Sequence, residues 1–314
     1  MQSIKLILTV LAPHSDNQFL LNKAIYLAKQ YDAKIELVLV VYNSGLVTSL
    51  FFSPTELDAA KEGYLNSLKK KLSRYSQSID KENIPVASDA IWHKPHYEGI
   101  IEYAKKVGAD LILKGTHKHK VLDKVFFTPN DWQLLKSSSI PLILAKETTA
   151  AQYQTVLAGI DPTHAHSKPE SLDNLVIDSA MRFAGKMNAT CHVTHCYSPI
   201  EYQVWNDIGL GMGIGIGPAD FTMGEENYSE YINQLKENQE SQFNEVVGPF
   251  KLPQENLHLV EGYPEQKLPE MVEEMKVDLL VLGTAYHSGL VGSTAEKILD
   301  EVNCDVLSVQ IQRD

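Results

Sequence analysis

The sequence is poor in cysteine, in long hydrophobic runs and in excess positive charge, and each shortage excludes a class of protein. Three cysteines among 314 residues are an odd number and too few for a disulfide framework, which fits a reducing cytoplasm. No apolar run approaches the ~18 residues that a membrane-spanning helix needs. A net charge of −12 is opposite in sign to the basic surface of a nucleic-acid binder. We therefore expect a cytoplasmic protein with no membrane span and no nucleic-acid partner.

The charge is divided unequally between the two halves of the chain. Residues 1–150 contain 19 Lys and Arg against 15 Asp and Glu, a net charge of +4, whereas residues 151–314 contain 9 against 25, a net charge of −16. The apolar content of 44% is enough for an ordinary buried core. The unequal division of charge between the two halves favours solubility and packing of one half against the other over binding of nucleic acid.

Patterns that would indicate catalysis or a metal are few. No Ser-His-Asp arrangement, carboxylate pair or Walker lysine is readable. The run Cys191–Cys196 contains metal-ligand types, but residues four apart on a strand lie ~13 Å apart, so we interpret it as a buried strand. His117 and His119, with His93 and His96, are a weaker zinc candidate, because spacing alone does not bring the two pairs together. We expect no catalytic residues and no required metal.

The order of strands and helices repeats once along the chain. Continuous runs of β-branched residues and Leu predict buried strands, and helical spacing of apolar residues predicts the helices between them. Alternation of this kind predicts a parallel sheet covered by helices on both faces in each half. Strands are predicted at Ile4–Leu11, Lys34–Tyr42, Val86–Trp92, Asp110–Lys114 and Pro141–Ala145, and again at Thr155–Ile160, Ala189–Tyr197, Asn256–Val260, Asp278–Leu282 and Asp305–Gln310. Helices are predicted at Asp16–Gln30, Thr55–Ser76, His96–Val107 and Pro129–Lys136, and again at Ser171–Met187, Glu226–Val247, Pro264–Lys276 and Thr294–Val302.

Two domains are predicted, at residues 1–148 and 152–314, with a short linker near Lys146–Gln154. Pro13 matches Pro162 at an offset of 149 residues, and Gly115 matches Gly283 at an offset of 168. The second copy therefore gains 19 residues before its fourth strand, where a tract alternating glycine with Leu, Met and Ile lies at Gly209–Gly217.

The glycine-containing stretch Gly283–Glu296, which reads GTAYHSGLVGSTAE, follows a predicted strand that ends at Leu282 and leads into a predicted helix. Together they present backbone N–H groups and a positive helix end, which is a common way to hold a phosphate. An earlier version begins at Gly115-Thr116 and ends at Thr128-Pro129. The chain thus contains the same candidate loop twice.

The doubled pattern, with a Gly-Thr loop after each fourth strand, resembles the universal stress protein family in tandem form. The segments FTPNDWQLLK, IWHKPHYEGII and LGTAYHSGL with GSTAEKILDEVNCDVL carry the resemblance, which covers nearly the whole chain. It implies an α/β fold of two tandem five-stranded parallel sheets, each of strand order 3-2-1-4-5 with helices on both faces. It also implies residence in the cytoplasm and intramolecular pairing of the two domains, while a homodimer is left open.

The same resemblance implies a ligand, because members of this family often bind an adenine nucleotide. They use an acidic residue after strand one, backbone at the end of strand two, and a G-x2-G-x9-G-[ST] loop. The first copy departs from this pattern: Ala12 replaces the acid, Lys118 replaces the second glycine, and Thr128-Pro129 replaces the final Gly-Ser. Proline has no N–H, whereas Thr128, Pro129 and Asp131 make a good helix start, so we interpret this loop as structural. The lysines in and around this first loop would still attract an anion.

The second copy keeps more of the family's pattern. Tyr286 replaces the second glycine and the loop is four residues short, which favours a mono- or diphosphate over a triphosphate. Ser293 and Glu296 also form a capping box, which would satisfy the helix without any ligand. The predicted cofactor-binding residues are Ile160, Asp161, Cys196, Gly283, Thr284, Gly289, Gly292, Ser293 and Thr294.

Three functions remain open at this point. The first is a non-catalytic stress-response protein that binds ATP, ADP, AMP or a related small phosphorylated ligand through its second domain. The second is a scaffold with decayed sites, and the third is a weak ATP hydrolase, for which no general base is visible. The tract Gly209–Gly217 has two interpretations, a loop packed over the sheet edge or the partner half, or a lid over an apolar group such as an acyl chain beside the nucleotide.

Overall fold

A computed structural model describes residues 3–47, 53–116, 128–147, 149, 152–163, 171–200, 225–284, 298–299 and 301–311, with the backbone alone for 225–227. Its strands are β1 Leu6–Val10, β2 Lys34–Val41, β3 Val86–Trp92, β4 Leu111–Gly115, β5 Leu142–Ala145, β6 Thr155–Ile160, β7 Thr190–Tyr197, β8 Leu257–Glu261, β9 Leu279–Gly283 and β10 Asp305–Val309. Its helices are α1 Gln18–Tyr31, α2 Pro54–Asp80, α3 His96–Val107, α4 Pro129–Ser137, α5 Ser171–Met187, α6 Glu225–Val247 and α7 Pro264–Glu274. Short 3₁₀ turns lie at Ser44–Leu46, Gly248–Phe250 and Gln254–Asn256. Residues 298, 299 and 301 are also helical, within the last predicted helix.

All ten strands join one sheet in the order β3-β2-β1-β4-β5-β10-β9-β6-β7-β8. We call β1 to β5 the first repeat and β6 to β10 the second repeat. Within each repeat neighbouring strands are parallel and follow the predicted order 3-2-1-4-5. Between the repeats, β5 and β10 pair antiparallel, with Leu144 opposite Val306. The predicted α/β class is confirmed, and the two five-stranded sheets are continuous with each other.

The core lies in two layers, one on each face of this sheet. Because side chains alternate along a strand, Ile7 and Leu37 enter one layer while Leu8 and Val38 enter the other. Helices α1, α2, α5 and α6 cover the first layer, and α3, α4 and α7 cover the second. Helix α2 runs four residues beyond the predicted end, because Ile79 continues its apolar stripe and is fully buried. Within the described residues, no helix is long and apolar enough to span a membrane.

A buried cluster of polar side chains lies where the two repeats meet. Lys23 of α1 forms an ion pair with Asp305 of β10, and both side chains are at most 1% exposed. Tyr153 donates its hydroxyl to Asp305 at 2.6 Å, and Thr149 does the same at 2.6 Å. Burial, reinforced by the Asp305 carboxylate, raises the pKa of Tyr153 well above its ordinary value. The cluster therefore connects a helix of the first repeat, the linker and a strand of the second repeat.

Candidate functional site

The carboxyl ends of β6, β7 and β9 meet at one edge of the sheet in the second repeat. In the strand register Ile160 lies beside His195, and Gly159 lies beside Leu282. From β6 the chain continues to β7 on one side, while β9 lies on the other, and such a reversal opens a crevice at the strand ends. Asp161 follows β6 directly and Thr284 follows β9 directly. The register thus places Ile160, Asp161, Cys196, Gly283 and Thr284 of the predicted site at the same edge.

The main chain at Asp161 is held by a buried carboxylate. Its backbone N–H donates to Oδ1 of Asp173 at 3.1 Å, and Asp173 is fully buried in the first turn of α5. A negative charge at this position is stabilised by the positive end of the helix. The Asp161 side chain is half-exposed and accepts a hydrogen bond from the hydroxyl of Thr163 at 2.7 Å. Sequence reasoning missed Asp173, for which the only signal was an acidic residue in a first helical turn.

The first repeat makes the same turn with an uncharged side chain. Asn17 accepts a hydrogen bond from the backbone N–H of Ala12 at 2.9 Å, and its amide donates to the carbonyl of Ala12 at 2.9 Å. Asn17 therefore has the same role as Asp173, since each side chain accepts a hydrogen bond from the backbone N–H after the first strand of its repeat. The two turns differ in chemistry, because the first presents the methyl group of Ala12 where the second presents the carboxylate of Asp161.

The donors of Thr284 are used inside the sheet. Its backbone N–H donates to the carbonyl of Val309 at 3.0 Å, and its hydroxyl lies 3.0 Å from the hydroxyl of Ser308. Thr116 is bonded similarly in the first repeat, with its N–H 2.8 Å from the carbonyl of Ala145. Both threonines thus extend the pairing with the last strand of their repeat, which gives Thr284 a structural role in addition to its predicted contact with phosphate.

Gly283 allows close packing of α5 against the end of β9. A Cβ added to Gly283 would lie 2.7 Å from Cγ of Leu172, which is buried. Gly115 in the first repeat has a similar neighbour, because a Cβ there would lie 2.8 Å from Cζ of Phe19. Each glycine is therefore explained by helix packing, independently of any ligand.

We expect Gly283→Ala to lower the free energy of unfolding by about 1–3 kcal/mol, because the added methyl group overpacks a filled site. Gly115→Ala is the matched control and should cost less, since Cζ is the far end of the Phe19 side chain and can move away. Urea unfolding of both variants measures the difference. Equal stability of Gly283→Ala and the wild type would show that packing does not require this glycine.

His195 and Cys196 lie on β7 beside the crevice, and both are buried, as the sequence predicted. Nδ1 of His195 lies 3.2 Å from the carbonyl of Ile160, and Nε2 lies 2.8 Å from Oε1 of Gln239 in α6. The ring therefore links the end of β6 to α6. Cys196 points to the opposite face, where burial raises the pKa of its thiol to about 11. A thiol in that state is not a nucleophile at neutral pH.

The predicted buried strand over Cys191–Cys196 is confirmed except at one residue. Cys191, His195 and Cys196 are buried, but His192 is half-exposed and lies against His258 of β8.

The two described histidines of the other zinc candidate, His93 and His96, have separate surroundings. Nδ1 of His93 lies 2.9 Å from the carbonyl of Pro95, and burial is the main cause that lowers the pKa of His96. In the part of the chain that is described, no three His, Cys, Asp or Glu side chains are grouped as metal ligands.

The first repeat has an ion pair near the carboxyl end of its fourth strand. Nζ of Lys114 lies 2.6 Å from Oδ1 of Asp131, which is fully buried in α4. The other oxygen of Asp131 accepts hydrogen bonds from the N–H and the hydroxyl of Thr128, both at 2.8 Å. The predicted helix start at Thr128 is confirmed as a capping box. Leu282 occupies the equivalent position of β9, so the second repeat lacks this lysine.

Several predicted residues lie outside the described part of the chain. They are Gly289, Gly292, Ser293 and Thr294 of the predicted site, the tract Gly209–Gly217, and the His117 and His119 pair. The assignments made for them stay predictions.

Comparison with known proteins identifies relatives of both repeats. A model of the universal stress protein family matches residues 4–146 and 152–310. Universal stress protein E of Photorhabdus laumondii is 26% identical over 310 residues, covering 97% of this chain and 94% of the relative. Universal stress protein A homolog 1 of Coxiella burnetii is 32% identical over 162 residues, covering 50% of this chain and 96% of the relative. A solved structure of a functionally unknown Pseudomonas aeruginosa protein covers 98% of this chain and 93% of its own, with a TM-score of 0.66 and 23% identity. The predicted resemblance and fold are confirmed.

Proposed function

The chain belongs to the universal stress protein family, and from that premise we propose that it is a non-catalytic stress-response protein that binds an adenine nucleotide. The ligand, ATP, ADP, AMP or a related phosphorylated molecule, binds at the crevice of the second repeat. The shortened loop after β9 favours a mono- or diphosphate. Binding requires no metal and takes place in the cytoplasm.

The observation that carries this proposal is the position of Asp161. Its main chain is fixed by the bond to Asp173, and the half-buried residue lies directly after β6, at the strand ends that form the crevice. A carboxylate held in this way accepts hydrogen bonds from a ribose hydroxyl or an adenine amino group without further ordering of the backbone. The family's pattern has an acidic residue at this position.

The contrast with the first repeat supports binding at the second. Ala12 offers no acceptor at the equivalent turn, and the Lys114 ammonium there is already paired with a buried carboxylate. Leu282 leaves the equivalent place in the second repeat apolar, as a nucleobase pocket requires. The first repeat then serves as a structural partner of the second, joined to it through β5 and β10.

A ligand-free scaffold is the second candidate, and the bonding of Thr284 favours it. The N–H and hydroxyl of Thr284 are used inside the sheet, and Gly283 is explained by packing against Leu172. In that case both repeats hold decayed sites, and the surfaces of the molecule bind proteins. Calorimetric titration with ATP, ADP and AMP separates the two functions, because a scaffold would bind none of the three.

Asp161→Asn is expected to weaken nucleotide binding at least about tenfold, because a hydrogen bond to a charged group contributes about 1.5–3 kcal/mol. The variant is isosteric, so the turn after β6 should be unchanged. Asp178→Asn is the matched control, since it makes the same change at an acid of α5 that pairs with Arg182. Calorimetry with ADP should find the control unchanged. Equal affinity of Asp161→Asn and the wild type would remove Asp161 from the site.

A further inference from the structure

Two histidines of the second repeat form a pair on adjacent strands. Nδ1 of His192 in β7 lies 3.1 Å from Nε2 of His258 in β8, and the ring centroids are 5.2 Å apart. The rings are inclined by 36°, so they do not stack face to face. Both side chains are half-exposed, and β8 is the last strand in the order of the described sheet. Solvent therefore reaches both imidazoles at the sheet edge.

The separation of the two nitrogens suits a shared metal ion. Imidazole nitrogens bind Zn²⁺ at about 2.0–2.1 Å. When the nitrogen–metal–nitrogen angle lies between its square-planar and tetrahedral values, two such nitrogens are about 2.8–3.4 Å apart. The observed 3.1 Å falls within this range, so the two nitrogens already lie at a separation that a shared ion requires.

The equivalent position in the first repeat has different chemistry. Glu36 is the third residue of β2, as His192 is of β7, and Asp89 pairs with the fifth residue of β2 as His258 pairs with the fifth of β7. Glu36 accepts a hydrogen bond from Tyr103 at 2.7 Å, and Asp89 forms an ion pair with Lys69 at 2.9 Å. Each acid is thus bonded to a separate partner. In the second repeat, by contrast, the two rings face each other.

We propose that His192 and His258 bind a late first-row transition-metal ion of the Zn²⁺ class, with water completing its coordination. Imidazole suits zinc, copper and nickel, and calcium or magnesium would prefer oxygen ligands. The bound ion cross-links β7 to the edge strand β8. This site is separate from the nucleotide crevice and stands independently of the proposed function.

The test is titration of the full chain with Zn²⁺ alone, followed by calorimetry. His192→Asn and His258→Gln each keep an amide where the bonding ring nitrogen was, so the cross-strand hydrogen bond is retained while the imidazole is lost. One equivalent should bind the wild type, and each single variant should bind it at least about tenfold more weakly. The double variant should bind zinc no more weakly than either single variant, because either change alone destroys the site. His14→Asn, at an exposed histidine of the other repeat, is the matched control and should bind zinc as the wild type does.

Two results would overturn the proposal: no zinc binding by the wild type, or variants that bind zinc as tightly as the wild type, which would mean adventitious surface binding only. Far-UV circular dichroism shows whether each variant is folded. If a variant fails to fold, ¹H–¹⁵N spectra of the wild-type imidazoles decide the question. Zinc must then shift the resonances of His192 and His258, and shifts confined to other histidines would contradict the site.

Discussion

Asp305→Ala is expected to lower the free energy of unfolding by about 3–5 kcal/mol, because it leaves the buried ammonium of Lys23 without a carboxylate. Tyr153 and Thr149 lose their hydrogen-bond acceptor in the same change. The stability is lost at the junction between the repeats, since Lys23 belongs to the first repeat and Asp305 to the second. Urea unfolding monitored by circular dichroism measures it.

The control for this prediction removes both charges together. The double variant Lys23→Met with Asp305→Leu leaves neither partner of this ion pair buried without the other, so much of the lost stability should return. The thiol of Cys304 is fully buried in the same region, with a pKa that burial raises to about 12, and its alkylation rate reports local opening. A fully stable Asp305→Ala variant would show that the ion pair contributes little to the junction.

Lys114→Leu is expected to destabilise the first repeat by about 3 kcal/mol, because the carboxylate of Asp131 then stays buried without its cation. The change places in β4 the residue that β9 has at Leu282. Nucleotide binding should be unaffected, since the proposed site lies in the other repeat. Urea unfolding and calorimetry with ADP measure the two effects separately.

Its matched control adds Asp131→Asn to Lys114→Leu. The asparagine retains an oxygen that accepts from Thr128 and caps α4, but it has no charge to bury, so stability should be largely restored. Loss of ADP binding in Lys114→Leu would contradict the assignment of the ligand to the second repeat.

Elements with a strong local pattern were predictable from the sequence. The strands are continuous apolar runs, and their alternation with helices predicted the α/β class, whereas the order 3-2-1-4-5 was implied by the resemblance to the family. Thr128 with Asp131 was readable as a helix start, because capping depends on residues three apart in the chain. The end of α2 was less certain, since only Ile79 continued the stripe after several polar residues.

Features that depend on distant parts of the chain were not predictable. The ion pair of Lys23 joins residues 282 positions apart, and a lysine among apolar residues of α1 gave no indication of its partner. His258 was missed as the neighbour of His192 because the pairing depends on the register of β7 against β8. Gly283 resembled the start of a phosphate loop, and only the structure shows its contact with Leu172.

The central claim, that the nucleotide binds at the crevice of the second repeat, is tested most directly by photo-crosslinking. An azido-adenine diphosphate would be bound to the full chain, irradiated, and the labelled peptides identified by mass spectrometry. We predict labelling of peptides that contain Asp161 or Cys196, suppressed by unmodified ADP and lost in Asp161→Asn. Labelling that unmodified ADP suppresses but that lies in peptides around Ala12 or Lys114 would contradict the account.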